Sequence, residues 1–180
     1  MRAALAGAVL LAGCGSGTAT DPAIPLKSPA FAHSTIPARY TCDGQNVAPP
    51  FEWGAVPPGT RELVLFMLGF TPQGSSHGVS VTVEWVVAGL NPQLHGLPAG
   101  KLPPGARLAL TSTGQPQRYS MCPAKGTSKQ YQFELYALPG GDAVAPEFQG
   151  LSLLAALNPR GQARSPVPHG TLDAEYRRGK

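Results

Sequence analysis

Residues 79–89 read VSVTVEWVVAG, and this stretch decides the fold. Val79, Val81 and Val83 alternate with Ser80, Thr82 and Glu84, a two-residue period that suits a strand and not a helix. Its β-branched residues fit a pleated, half-buried surface. A second run, Gln130–Leu138 (QYQFELYAL), repeats the pattern: Tyr131, Phe133, Leu135 and Ala137 share one face, Gln130, Gln132 and Glu134 the other. Leu63–Phe70 (LVLFMLGF) is apolar without alternation. It is short for a buried helix and reads as a central strand covered on both faces. Arg107–Leu110 and Thr171–Tyr176 are further strands. Only Leu151–Leu157 (LSLLAAL), ended by Asn158-Pro159, looks helical. The class is mainly β, with one or two short helices.

Between these runs the chain is punctuated. The 180 residues include 22 Gly and 20 Pro, which separate short apolar segments as turns do. Phe31–Tyr40 is a turn-rich or edge-strand entry, Thr41–Asn46 a loop around Asp43-Gly44, and Pro49–Trp53 a short extended piece. The length suits one domain with a real core. With 42% apolar and only 13% charged residues, a coiled coil or a disordered charged tail is excluded. The net charge of +4 is scattered; only Arg177, Arg178 and Lys180 cluster, and they read as a solvated tail. No basic stripe with interleaved aromatics occurs, so no nucleic-acid partner is expected.

The first residues carry an export signal. Arg2 precedes the apolar run Ala3–Leu11, which has signal-peptide length and is far too short to span a bilayer. It ends in Leu11-Ala12-Gly13-Cys14, which resembles the lipobox of bacterial lipoproteins, whose cysteine thiol takes a diacylglyceryl group. Residues 1–13 are then a signal peptide and Cys14 the lipidated residue, with 14–25 a flexible tether that reaches about 35–40 Å when extended. Residues 26–180 form the domain. The protein is expected outside the cytoplasm, bound to a membrane through lipid on Cys14. In that compartment Cys42 and Cys122 either form a disulfide, worth about 4–5 kcal/mol in the chain-entropy model, or remain two buried free thiols.

Catalytic chemistry is not legible. No His-Glu-x-x-His, paired Cys-x-x-Cys or phosphate-cradling Gly-rich loop occurs, and neither metal nor cofactor is expected. Ser75-Ser76-His77 (in QGSSHG) puts a hydroxyl beside an imidazole, but adjacent residues seldom face each other productively, and a polar surface turn is the simpler reading. His33, His95 and His169 lie near turn residues and read as solvated loop histidines. Trp53 and Trp85 read as core.

One ordered set of segments is distinctive. Ser28-Pro29-Ala30-Phe31, Ile36-Pro37, Tyr40-Thr41-Cys42-Asp43-Gly44, Asn46 and Pro49-Pro50 lead to Trp53. Val56-Pro57-Pro58-Gly59-Thr60, Trp85-Val86-Val87, Leu97-Pro98-Ala99-Gly100, Cys122-Pro123 and Tyr131–Leu138 follow. In order and spacing, over about residues 26–178, the chain resembles the phosphatidylethanolamine-binding protein family, in its bacterial YbhB/YbcL or Raf kinase inhibitor-like branch. The resemblance implies an antiparallel β-sandwich with short helices near one end. It also implies a small anion pocket, which in relatives accepts phosphate or phospholipid headgroups, and a role in binding or modulation, not catalysis.

The pocket departs from the family pattern. An Asp-Pro-Asp-x-Pro-like segment is replaced by Gly69-Phe70-Thr71-Pro72-Gln73. Glu84 stands for a histidine before the Trp-Val-Val strand, and Lys129 for the histidine of a Gly-x-His-Arg-Tyr-like segment. Tyr131, Cys122-Pro123, Gly126 and Tyr119 survive. Candidate ligand-binding residues are therefore Glu84, Trp85, Tyr119, Pro123, Lys129 and Tyr131. A carboxylate at position 84 repels an anion, and Glu84 and Lys129 are expected to pair. Two functions follow as expectations. One is a lipid-anchored, non-enzymatic binding protein with a degenerate pocket for a small anion or phospholipid headgroup. The other is a surface-acting modulator of an envelope enzyme or protease with a vestigial pocket.

Overall fold

The computed structural model describes residues 23–73, 78–140, 144–159 and 167–180. In chain order its elements are β1 (Leu26–Lys27), a single 3-10 turn (Ala38–Tyr40), β2 (Phe51–Trp53), β3 (Thr60–Gln73) and β4 (Gly78–Leu90). β5 (Gly96–Leu97), β6 (Arg107–Leu108), β7 (Ser128–Pro139), α1 (Gly150–Leu157) and β8 (His169–Arg177) complete them. All strand pairings are antiparallel, in a small sheet ordered β1-β2-β5 and a large one ordered β6-β4-β3-β7-β8.

β3 is the middle strand, which explains its unbroken apolar run. Leu63, Leu65 and Met67 enter a core shared with Leu26, Phe51, Trp53 and Leu97 of the small sheet. Val64, Phe66 and Leu68 enter a second core with Tyr136, Val144, Phe148 and Leu157, the last from α1. A strand buried on both faces has no solvent side to encode, so its alternation disappears. Along β7 the alternation holds: Tyr131, Phe133, Leu135 and Ala137 lie in the first core. Glu134, on the other face, is nonetheless buried, where its carboxylate accepts the Tyr136 hydroxyl at 2.6 Å. Glu62 is buried as well, bound to Arg107 at 2.8 Å and to the backbone N–H of Gly89 and Val144.

Three expectations change. The strand expected over Arg107–Leu110 is paired only at Arg107–Leu108, since Leu110 turns to make bridges with Pro116 and Gln149. His169 is no loop histidine: it starts β8, half-buried, stacked on Tyr136 with centroids 5.2 Å apart. The basic end is not freely solvated either, because Arg178 is tied to Asp43, Cys122 and Pro123. Cys14, the tether up to residue 22 and Ser75-Ser76-His77 lie outside the described residues. Among the described residues no helix is long and apolar enough to cross a membrane.

Candidate functional site

The site begins with a break in β4. Met67 pairs with Trp85 and Leu68 with Val83, which leaves Glu84 without a partner on β3. Such a β-bulge inserts one residue and re-aims its side chain. Strict alternation would place Glu84 and Trp85 on opposite faces; the bulge brings both to the face of the first core. There the Glu84 carboxylate meets the Lys129 ammonium of β7, a salt bridge whose two side chains are 18% and 19% exposed. The Thr82 hydroxyl lies 3.0 Å from Glu84 Oε1 and 3.3 Å from the Gly69 carbonyl.

Gly69 makes this pairing possible. It stands on β3 between Thr82 of β4 and Tyr131 of β7. A Cβ there would fall on the Glu84 carboxylate and come within 2.7 Å of Lys129 Cε. An ion pair can cross the central strand only where that strand offers no side chain.

Aromatic rings frame the pair. Lys129 Nζ sits 5.6 Å from the ring centroid of Tyr131, within cation–π range. Tyr131 is 1% exposed, and its hydroxyl has no hydrogen-bond partner among the described residues. Burial, then the charge of Glu84, pushes its pKa up, so the hydroxyl stays a proton donor. Tyr119 packs edge-on against buried Trp85, with centroids 5.4 Å apart, and donates to the Tyr40 carbonyl at 2.8 Å. Burial, then the neighbouring Tyr131 and Glu84, raises its pKa too.

A second cluster holds the adjoining loops. Cys42 and Cys122 form a disulfide with Cα atoms 5.2 Å apart, closing the alternative of two free thiols. Arg178 donates to Asp43 at 2.9 Å, to the Pro123 carbonyl at 2.9 Å and to Cys122 Sγ at 3.2 Å. Tyr176 donates to the other Asp43 oxygen at 2.7 Å. The Tyr176 hydroxyl, followed by the Arg178 guanidinium, holds the Asp43 carboxyl below its usual range despite some desolvation. Asn46 bridges the loops further, accepting from the backbone N–H of Met121 and donating to Ser120.

Of the candidate residues, Glu84, Trp85, Tyr119, Lys129 and Tyr131 come together, whereas Pro123 is buried on the disulfide-linked loop under Arg178. Sequence reasoning missed the part played by Gly69, Asp43 and Arg178. An isolated glycine inside an apolar strand run does signal a close approach, and that clue pointed to Gly69. No group of three or more His, Cys, Asp or Glu side chains fit to hold a metal occurs among the described residues.

Residues 27–167 match the family model for phosphatidylethanolamine-binding protein. The chain belongs to the phosphatidylethanolamine-binding protein family. Within that family it is similar to "Putative lipoprotein LppC" of Mycobacterium tuberculosis, 32% identical over 188 residues that cover 90% of each chain. Among solved structures it resembles CT736 of Chlamydia trachomatis, a homologue of phosphatidylethanolamine-binding protein. That likeness has a TM-score of 0.66 at 26% identity, covering 87% of this chain and 98% of the other. YbcL of Escherichia coli superimposes with the same TM-score, 0.66, at 20% identity over 87% of this chain and 99% of its own, and so shares the fold. The sandwich seen here is thus the family fold.

Proposed function

We propose that this protein is a lipid-anchored, extracytoplasmic and non-enzymatic binding protein whose family anion pocket is filled from within by its own ion pair. The observation that carries the reading is the Glu84–Lys129 salt bridge lying across Gly69. The lipobox-like run ending at Cys14 and the likeness to a chain described as a lipoprotein support the anchor. Family members are generally binders or inhibitors, which supports the absence of catalysis.

The physics is a competition for one cation. A phosphate that approaches Lys129 must face the Glu84 carboxylate. At 4 Å, like charges repel by about 1 kcal/mol in water and about 4 kcal/mol at an effective dielectric of 20. That lowers affinity by about fivefold to nearly a thousandfold relative to a site without the carboxylate.

The test is a titration of the chain lacking residues 1–14 with phosphoethanolamine, following Trp85 fluorescence. The expected response is flat up to millimolar ligand. A saturable response that Lys129→Ala abolishes would overturn the reading, because the pocket would then still accept headgroups.

A second reading, a surface-acting modulator of an envelope enzyme or protease, is favoured by one feature. Val79 and Val81 on β4 are 58% and 48% exposed, beside half-buried Phe70. Val79→Lys and Val81→Lys variants would abolish inhibition of such a target while leaving the fold intact.

A further inference from the structure

The outer face of the large sheet, opposite the one that holds Glu84 and Lys129, is only partly covered. Gly150 of α1 lies against Val86 and Val83 of β4. Beyond Val83 the face is bare, and Val81 and Val79 are 48% and 58% exposed. Strand register sets Val81, Phe70, Gln130 and Glu175 in one row across β4, β3, β7 and β8. A cleft of about 560 Å³ opens on this row, with Phe70, Pro72 and Val79 at one end and Asp173 and Glu175 at the other. Tyr131 adds only main chain to it, its ring lying in the first core. We infer that this cleft docks a basic segment of a partner protein, an apolar side chain over the valine end and a Lys or Arg over the carboxylates.

Charge complementarity selects the occupant. Asp173 accepts from Gln132 at 2.8 Å, and Glu175 accepts from Ser128 and, at 2.6 Å, from Gln130. All three donors are neutral, and neither carboxylate forms an ion pair among the described residues. No Lys or Arg lines the cleft; Arg177, further along β8, lines the neighbouring hollow. On a chain of net charge +4 this is a local reversal of sign, which repels an acidic partner or an anionic membrane and draws a basic segment.

The valine end makes that segment amphipathic. A solvated face of an antiparallel sheet usually carries polar residues, whereas Val79, Val81, Pro72 and Phe70 offer none. Three strand spacings, about 14 Å, separate Val81 from Glu175. An extended chain puts residues i, i+2 and i+4 on one side and spans about 13 Å between the first and the last. An apolar anchor followed by cations two and four residues later therefore matches the row. The inference rests on the surface-acting reading only for the partner being a protein, and is independent of the Glu84–Lys129 reading.

The experiment is calorimetric titration of the full-length chain with acetyl-Leu-Ser-Arg-Ser-Arg-amide at low ionic strength. Saturation is expected at or below about 1 mM peptide, with affinity falling as salt is added. Glutamate in place of both peptide arginines abolishes binding, and serine in place of the leucine weakens it about tenfold. Asp173→Asn and Glu175→Gln keep the shape of each side chain and each weaken binding about fivefold. Val79→Lys abolishes binding, and Lys129→Gln leaves it unchanged. No binding at about 5 mM peptide overturns the inference, as does binding indifferent to Asp173→Asn, Glu175→Gln and Val79→Lys. A dimer in sedimentation that Val79→Lys disperses gives the face to a second copy and overturns it too. Peptide binding that follows these variants, beside inhibition of a target that Val79→Lys leaves intact, keeps the cleft and removes the surface-acting reading.

Discussion

Glu84 and Lys129 face each other from two strands that are not neighbours, across a central strand whose residue at that point is Gly69. The three residues depend on one another. The glycine clears the space, the bulge turns the carboxylate into it, and the lysine neutralises the carboxylate.

That dependence makes Gly69→Ala a test of packing. The added methyl displaces the Glu84 carboxylate, and the expected cost is about 1–3 kcal/mol, as for overpacking elsewhere. Thermal unfolding at neutral pH reads this as a Tm lower by several degrees. An unchanged Tm would mean that the pair relocates freely and that the glycine does not shape it.

The Cys42–Cys122 bond closes a loop between residues 80 apart in sequence. In the chain-entropy model such a bond contributes about 4–5 kcal/mol. The Cys42→Ser, Cys122→Ser double variant is expected to unfold at markedly lower urea concentration. Coincident unfolding curves would show that the bond constrains little.

Arg178 bears on stability, not on solvation of a tail. Arg178→Gln removes charge-assisted bonds to the exposed Asp43 carboxylate, where solvent screens the pair, and to the Pro123 carbonyl. A fall in the urea midpoint is expected. A midpoint equal to wild type would restore the reading of a solvated end.

Asp43 gives a pH signature. Its folded pKa lies below the ordinary aspartate value of 3.8, so its contribution is complete above that value and fades as pH falls through the lower folded pKa. Wild type and Asp43→Asn are therefore expected to differ in urea midpoint at pH 7 and to converge in strong acid. A gap that persists unchanged below pH 3.8 would contradict the assignment.

Much of the architecture was legible because the strands announce their faces. Gln130–Leu138 carries an alternation that its two faces follow, and Leu63–Leu68 lacks one because both faces are covered. The alternation of Val79–Glu84 marks a strand but not its burial, since Val79 and Val81 are exposed. What was not legible is non-local. The bulge at Glu84 is set by pairing with β3, and nothing within residues 79–89 marks where the register slips. Arg178 finds Asp43 from 135 residues away, so a basic cluster at the end of the chain looked like tail. The Glu84–Lys129 pair was foreseeable only by setting the chain beside a family pattern, since 45 residues separate the two.

The most direct test of the internally filled pocket is phosphate affinity in Glu84→Gln, measured against wild type at low ionic strength. Removing the carboxylate charge leaves Lys129 unpaired and is predicted to create saturable phosphate binding, stronger than wild type by at least about fivefold and abolished by Lys129→Ala. Equal phosphate affinity in wild type and Glu84→Gln would show that the carboxylate does not guard the lysine, and would contradict the account.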